Sequence, residues 1–395
     1  MAENKKGLKA IEITEEIEEE DREQKKTVWR RLLVTGFIMV LLFVLAELYI
    51  ALRSFSSFTI LSESDRADSE AVTFATFGGS VLKYSNDGAV LTDGQNKQIW
   101  NQSYEMTTPR IAMCDDYLAI YDRGGIDLYI MSKSQTVRHI EMSSPIQAVS
   151  IANQGTVAVM TKGEKVTQVH LYDKSANELA SGEFYEEKSG IPIDIALSYD
   201  GKKLAVDMVD VRDGNLKSTI SFYNFGSVGQ NEINNNVGNF AYSDMFIPEI
   251  EFVSDERMIA LGDNEVIVFE GSEKLSVVSE ILLKGQVKSV IYNEKNVGII
   301  TENVGEESGN HFALYDMKGK NTMDTDIAIA YSDVYFLENG EICFTGESEC
   351  CIYSTHGIKK FAYVFEKGIY RILSQGKGAQ YIFVLDDSTQ EVRLK

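Results

Sequence analysis

The sequence predicts an all-β fold, a β-propeller of seven or eight blades with eight favoured, preceded by one transmembrane α-helix. Three observations carry this. A short strand with an aromatic residue recurs at Asp127-Leu128-Tyr129, His170-Leu171-Tyr172, Ser221-Phe222-Tyr223, Ile267-Val268-Phe269, Ala313-Leu314-Tyr315 and Cys351-Ile352-Tyr353. Its aromatic positions step by 43, 51, 46, 46 and 38 residues, the period of a propeller blade. Turns of Asp-Gly or Asn-Gly type precede apolar strands at comparable offsets, as in Ser198-Tyr199-Asp200-Gly201, Asn153-Gln154-Gly155 and Glu338-Asn339-Gly340.

The chain is 395 residues long, 44% hydrophobic and 10% aromatic, with 4 prolines, so most of it is expected to fold. Its formal charge of -22 leaves little room for a basic face, and no nucleic-acid partner is expected.

Taken in order, residues 1–31 read as a cytoplasmic acidic tail without a core of its own. Residues 32–52 form a 21-residue apolar run with Glu47 as its one ionisable member. As a helix this run would measure ~31 Å, a bilayer's hydrocarbon thickness. Lys25, Lys26, Arg30 and Arg31 before it, against Glu63, Asp65, Asp68 and Glu70 after it, predict a cytoplasmic N-terminus and an extracytoplasmic C-terminal domain. A cleaved signal peptide ending at Ala46 is the rival reading, opposed by the long acidic segment before the run. Glu47 reads as a carboxylate reaching the outer interface, or as a polar contact to another membrane helix.

Residues 53–70 read as a linker holding a possible ring-closing strand, and 71–395 as the extracytoplasmic propeller. Repeats fall near 72–104, 108–142, 144–184, 191–240, 246–283, 287–329, 331–365 and 369–395, and the last stops one strand short. Phe58-Thr59-Ile60-Leu61 would supply that strand, because a propeller closes by removing its open edge. If Val72 to Thr76 filled the gap instead, the ring would have seven blades.

The basic-flanked apolar run, the Leu82-Lys83-Tyr84-Ser85-Asn86-Asp87-Gly88 stretch and the Ser198 to Val206 turn resemble a domain of unknown function in Gram-positive, single-pass, membrane-anchored proteins. The resemblance implies an extracytoplasmic WD40-like or quinoprotein-like propeller and brings no catalytic residue with it.

Chemistry is sparse. The histidines His139, His170, His311 and His356 sit in no metal-binding spacing. Cys114, Cys343, Cys350 and Cys351 read as buried thiols, with at most one of the adjacent pair able to face Cys343. Asp207, Asp210 and Asp213 resemble a calcium loop in part, but Asp213-Gly214 reads more simply as a hairpin turn. Quinone chemistry calls for aromatic stacking, and Trp100 is the one tryptophan in the propeller. Two loops depart from the repeat, Gly226 to Tyr242, rich in asparagine, and Val304 to Asn310. The sequence therefore nominates no catalytic, cofactor-binding or metal-ligating residue and no cofactor. It predicts a binding, scaffold or sensor module for a protein or cell-envelope ligand, with a hydrolase using channel carboxylates or a bound cation as the alternative.

Overall fold

The computed structural model describes residues 29–44, 52–66, 72–135, 137–212, 214–302, 309–375 and 379–395. Two compact units divide between Ser54 and Phe55. In the first, a helix covers residues 29–44. No helix among the described residues is long and apolar enough to cross a membrane. This overturns the expected transmembrane span over 32–52, and with it the single-pass anchor and the extracytoplasmic placement read from it. Glu47 and the tail up to residue 28 lie outside the described residues.

Eight four-stranded antiparallel sheets make up the second unit. Blades 1 to 7 span residues 73–103, 109–141, 146–185, 191–243, 249–282, 287–327 and 333–364. Each is a meander whose strands follow chain order from the axis outward. In blade 8 the chain supplies the strands Ile369–Ser374, Gln380–Leu385 and Ser388–Leu394, and Phe58–Asp65 is the fourth. The ring is therefore closed by a strand from the other end of the chain, as Phe58-Thr59-Ile60-Leu61 predicted. Thr73–Phe77 is the inner strand of blade 1, which removes the seven-bladed alternative.

The recurrent aromatic strand is the third of its blade, and the turns at Gly155, Gly201 and Gly340 join first strands to second. Gly201 has φ +67°, and its N–H donates to the Ser198 carbonyl at 2.7 Å, a conformation glycine adopts without a Cβ clash.

Eight apolar clusters fill the contacts between successive blades. Trp100, Leu91 and Leu118 sit in the one between blades 1 and 2, and Ile220, Phe222, Phe252 and Phe269 in the one between blades 4 and 5. The contact between blades 8 and 1 is the slightest, with Val81, Leu373, Ile382 and Val384. Arg66 reinforces it, its guanidinium 4.5 Å from the Phe74 ring centroid and 5.1 Å from that of Tyr370.

The closing strand is held at both ends. Phe58 pairs with Leu394 and Asp65 with Ser388, around a bulge between Ile60 and Ser62. The Phe58 ring meets Tyr363 edge-on at 5.0 Å and Phe383 at 5.2 Å. Removing this ring takes apolar contact and aromatic pairing from the one place where the ring joins itself. Phe58→Ala is expected to lower unfolding free energy by about 2–4 kcal/mol in urea titrations, with Phe58→Leu recovering more than half. A loss below about 0.5 kcal/mol would show that this ring does not anchor closure.

Candidate functional site

First-to-second-strand turns of blades 1, 2, 4, 6 and 7, the Gly340 turn among them, meet at one mouth of the axial channel. A cavity of about 680 Å³ opens there. Its apolar surface comes from Phe77 of blade 1, Met113 of blade 2, Tyr199 of blade 4, Tyr292 of blade 6 and Phe336 of blade 7. Lys133, Lys295, Asp115, Glu294 and Glu338 supply its charges. The charges sit on turns between strands, while Phe77, Met113, Tyr292 and Phe336 come from the ends of first strands.

Acidic residues gather in the wall of blades 4 and 5. Asp194 lies opposite Asp207 across the first two strands of blade 4, next to a register shift between Pro192 and Asp194. Paired antiparallel residues project to one side of a sheet, so the two carboxyls share a face. Ile250 N–H of blade 5 donates to Asp194 Oδ2 at 2.8 Å. Asp207 is 0% exposed, and neither of its carboxyl oxygens has a hydrogen-bond partner. Burial raises the Asp194 carboxyl to about 7, held back by backbone hydrogen bonds from Ile250 and Ile195. Burial, and then the charge of Asp194, push Asp207 up to about 8. Glu251 rises to about 8 through burial and the charges of Asp194 and Glu249. Tyr292 donates its hydroxyl to Glu249 Oε1 at 2.5 Å, and burial raises its phenol well above the ordinary range. Cationic compensation comes from Arg123, which acts on Asp194.

Such a wall can store protons near neutral pH. Asp207 itself is sealed from solvent, whereas Asp194 and Glu251 are half-buried. Among the described residues, no group of three or more His, Cys, Asp or Glu side chains is arranged to hold a metal ion.

The residues singled out in the sequence are scattered. His139 bonds Asp127 at 2.7 Å, His170 bonds Glu178 at 2.9 Å, and His311 bridges Asp324 and Asp326 at 2.7 and 2.9 Å. Asp207 and Asp210 part company: the first is buried, while the second is bound by the Arg212 guanidinium at its own turn. Asp213 lies outside the described residues. All four cysteines are buried free thiols, and burial pushes Cys114 and Cys343 up to about 12. Trp100 is core between blades 1 and 2. The asparagine-rich loop is shorter than expected, since Asn236–Ser243 is the outer strand of blade 4. Of the second loop, residues 303–308 lie outside the described residues.

A family profile matches residues 51–394, the whole propeller. The chain belongs to the DUF5711 family of unknown function. The match brings neither a Gram-positive origin nor membrane attachment with it. No curated protein sequence shows a significant match. Among solved structures, the chain is similar to BamB from Moraxella catarrhalis, at 12% identity and a TM-score of 0.53, over 86% of this chain and 100% of that one. It is also similar to a crystal structure described as the eukaryotic initiation factor, at 13% identity and a TM-score of 0.50, over 84% and 83% of the two chains. Likeness at this identity establishes the β-propeller fold and nothing about activity.

The raised carboxyls make stability depend on pH with a definite sign. The native protein keeps protons that the unfolded chain releases near pH ~4, so each contribution is full at low pH and is lost as pH rises through about 7 to 8. Each titrating group costs about 1.4 kcal/mol per pH unit within that window. Asp207→Asn is expected to flatten the fall in urea-unfolding free energy between pH 5 and pH 8.5 and to exceed the parent in stability at the upper end. Parallel profiles for the two proteins would show that Asp207 does not titrate there.

Proposed function

We propose that this propeller is a non-catalytic binding platform that takes a polypeptide segment at the axial mouth ringed by the first-to-second-strand turns. The reading is carried by the composition of that mouth, where aromatic and aliphatic side chains from several blades form a floor beneath a rim of lysines and carboxylates. An apolar centre with a polar surround is the anatomy of a protein–protein contact. Rigid strands hold the floor residues, so little ordering cost falls on the platform when a segment docks. The rim carries both signs of charge and therefore selects by pattern rather than by net attraction.

Peptide libraries displayed on phage and selected against the purified chain would test the platform. Peptides that bind the parent are expected to lose about tenfold or more in affinity against Met113→Asp and against Phe336→Ser, and to retain it against Leu179→Ser, which lies on an outer strand. Equal binding to the parent and to both mouth variants would overturn the assignment.

A further inference from the structure

The contact between blades 3 and 4 breaks the regular outer packing of the ring. Blades 1 and 3 to 7 share a register shift between their third and fourth strands, which lets equivalent outer positions be compared. Opposite the last inward residue before the shift stand Trp100, Ala180, Gly238, Ser279, Met323 and Phe361 in turn. Two residues further along the same face come Gln102, Gly182, Phe240, Ile281, Thr325 and Tyr363. Every blade places at least one large side chain in this pair of positions except blade 3, which has Ala180 and Gly182.

A cavity of about 460 Å³ lies there. Leu171, Leu204, Phe184, Tyr223 and Phe225 line it, with the Phe184 and Tyr223 rings edge to face at 6.3 Å. A Cβ built on Gly182 would meet nothing nearer than Phe184 Cε2 at 3.9 Å, so the space continues to the backbone of the outer strand.

Its roof is the insertion between the third and fourth strands of blade 4, two short 3-10 turns at Gly229–Asn231 and Ile233–Asn235. Asn234 and Asn235 both line the cavity, and both sit in the left-handed region at φ +53° and +59°. Two successive non-glycine residues there persist only where surrounding contacts over-determine them. Those contacts are present. Asn235 Nδ2 donates to the Asn224 carbonyl at 3.3 Å, and Lys274 of blade 5 pairs with Glu232 at 2.8 Å. Gly229 lies so close to Asn224 that a Cβ would stand 1.6 Å from its carbonyl oxygen. Glu183, between Gly182 and Phe184, turns its carboxyl to the other face of the strand, where it accepts from Tyr185 Oη at 2.7 Å and from Gln168 Nε2 at 3.3 Å.

We propose that this cavity is a second binding site, for a small neutral or cationic aromatic molecule that carries an N–H or O–H donor. The volume falls in the range of small-molecule sites, and the aromatic lining suits a planar ring. The side-chain carbonyl of Asn234 accepts the donor, and the net negative charge of the chain disfavours an anionic ligand. This site is separate from the axial mouth and stands or falls independently of it.

Calorimetric titration of the full chain with indole, tryptamine and indole-3-acetate tests the proposal. Indole and tryptamine are expected to bind saturably at one site, with tryptamine about tenfold or more tighter than indole-3-acetate. Gly182→Val should fill the space, weaken tryptamine by about tenfold or more, and leave the urea midpoint unchanged or higher. Gly182→Ala gives a smaller loss of the same sign and replaces the valine variant should that one fail to fold. Absence of saturable binding by the parent, or equal binding by the folded glycine variants, overturns the site.

Discussion

Pairing of Phe58–Asp65 with Ser388–Leu394 is the constraint on which the rest of the molecule depends. Each blade buries side chains on both faces only because it has a neighbour on both sides, and an open ring would leave two faces in water. The contact between blades 8 and 1 is too slight to impose closure by apolar burial, with Val81, Leu373, Ile382 and Val384 at its centre. Backbone pairing within blade 8 supplies what that contact lacks, because it makes the last blade from both ends of the propeller chain. The aromatic group around Phe58, with Phe361, Tyr363, Phe365 and Phe383, then ties the closing strand into the contact between blades 7 and 8.

Two buried polar groups show how differently charge can be accommodated in such a ring. Glu341, Lys360 and Tyr381 form a satisfied set between blades 7 and 8, in which lysine and tyrosine both donate to the glutamate. Opposite charges and hydrogen bonds to both glutamate oxygens make that set compatible with burial. Asp194 and Asp207 bring two like groups together, and Asp194 is the one held by a backbone hydrogen bond from the neighbouring blade. Protonation is then the route by which the pair is tolerated, which links the packing of blades 4 and 5 to pH.

Much of this architecture was legible in the chain itself. The period of the aromatic strands, the turns at Gly155, Gly201 and Gly340 and the missing last strand lead to eight blades and to the closing segment, since all are local signals repeated in order. The apolar run after Arg31 was equally plain as a helix, and helix covers residues 29–44, but no helix among the described residues is long and apolar enough to cross a membrane. Part of the acidic wall also had a signal. Asp207 interrupts Leu204-Ala205-Val206 and Met208, and Asp194 and Glu251 likewise break apolar stretches, a pattern that marks a buried carboxyl. What no local pattern conveys is the register shift that sets Asp194 opposite Asp207, or the convergence of turns from distant blades on one mouth.

Blade 4 concentrates the departures from the repeat. Toward blade 5 it presents a carboxyl without hydrogen-bond partners, and toward blade 3 it extends an insertion whose two left-handed asparagines roof an underfilled contact. A repeat scaffold makes such exceptions informative, because its other blades record what packing alone requires. The proton-storing wall and the roofed cavity lie on opposite faces of one four-stranded sheet, so a change in how blade 4 sits against either neighbour would reach the other through strands already rigidly hydrogen-bonded.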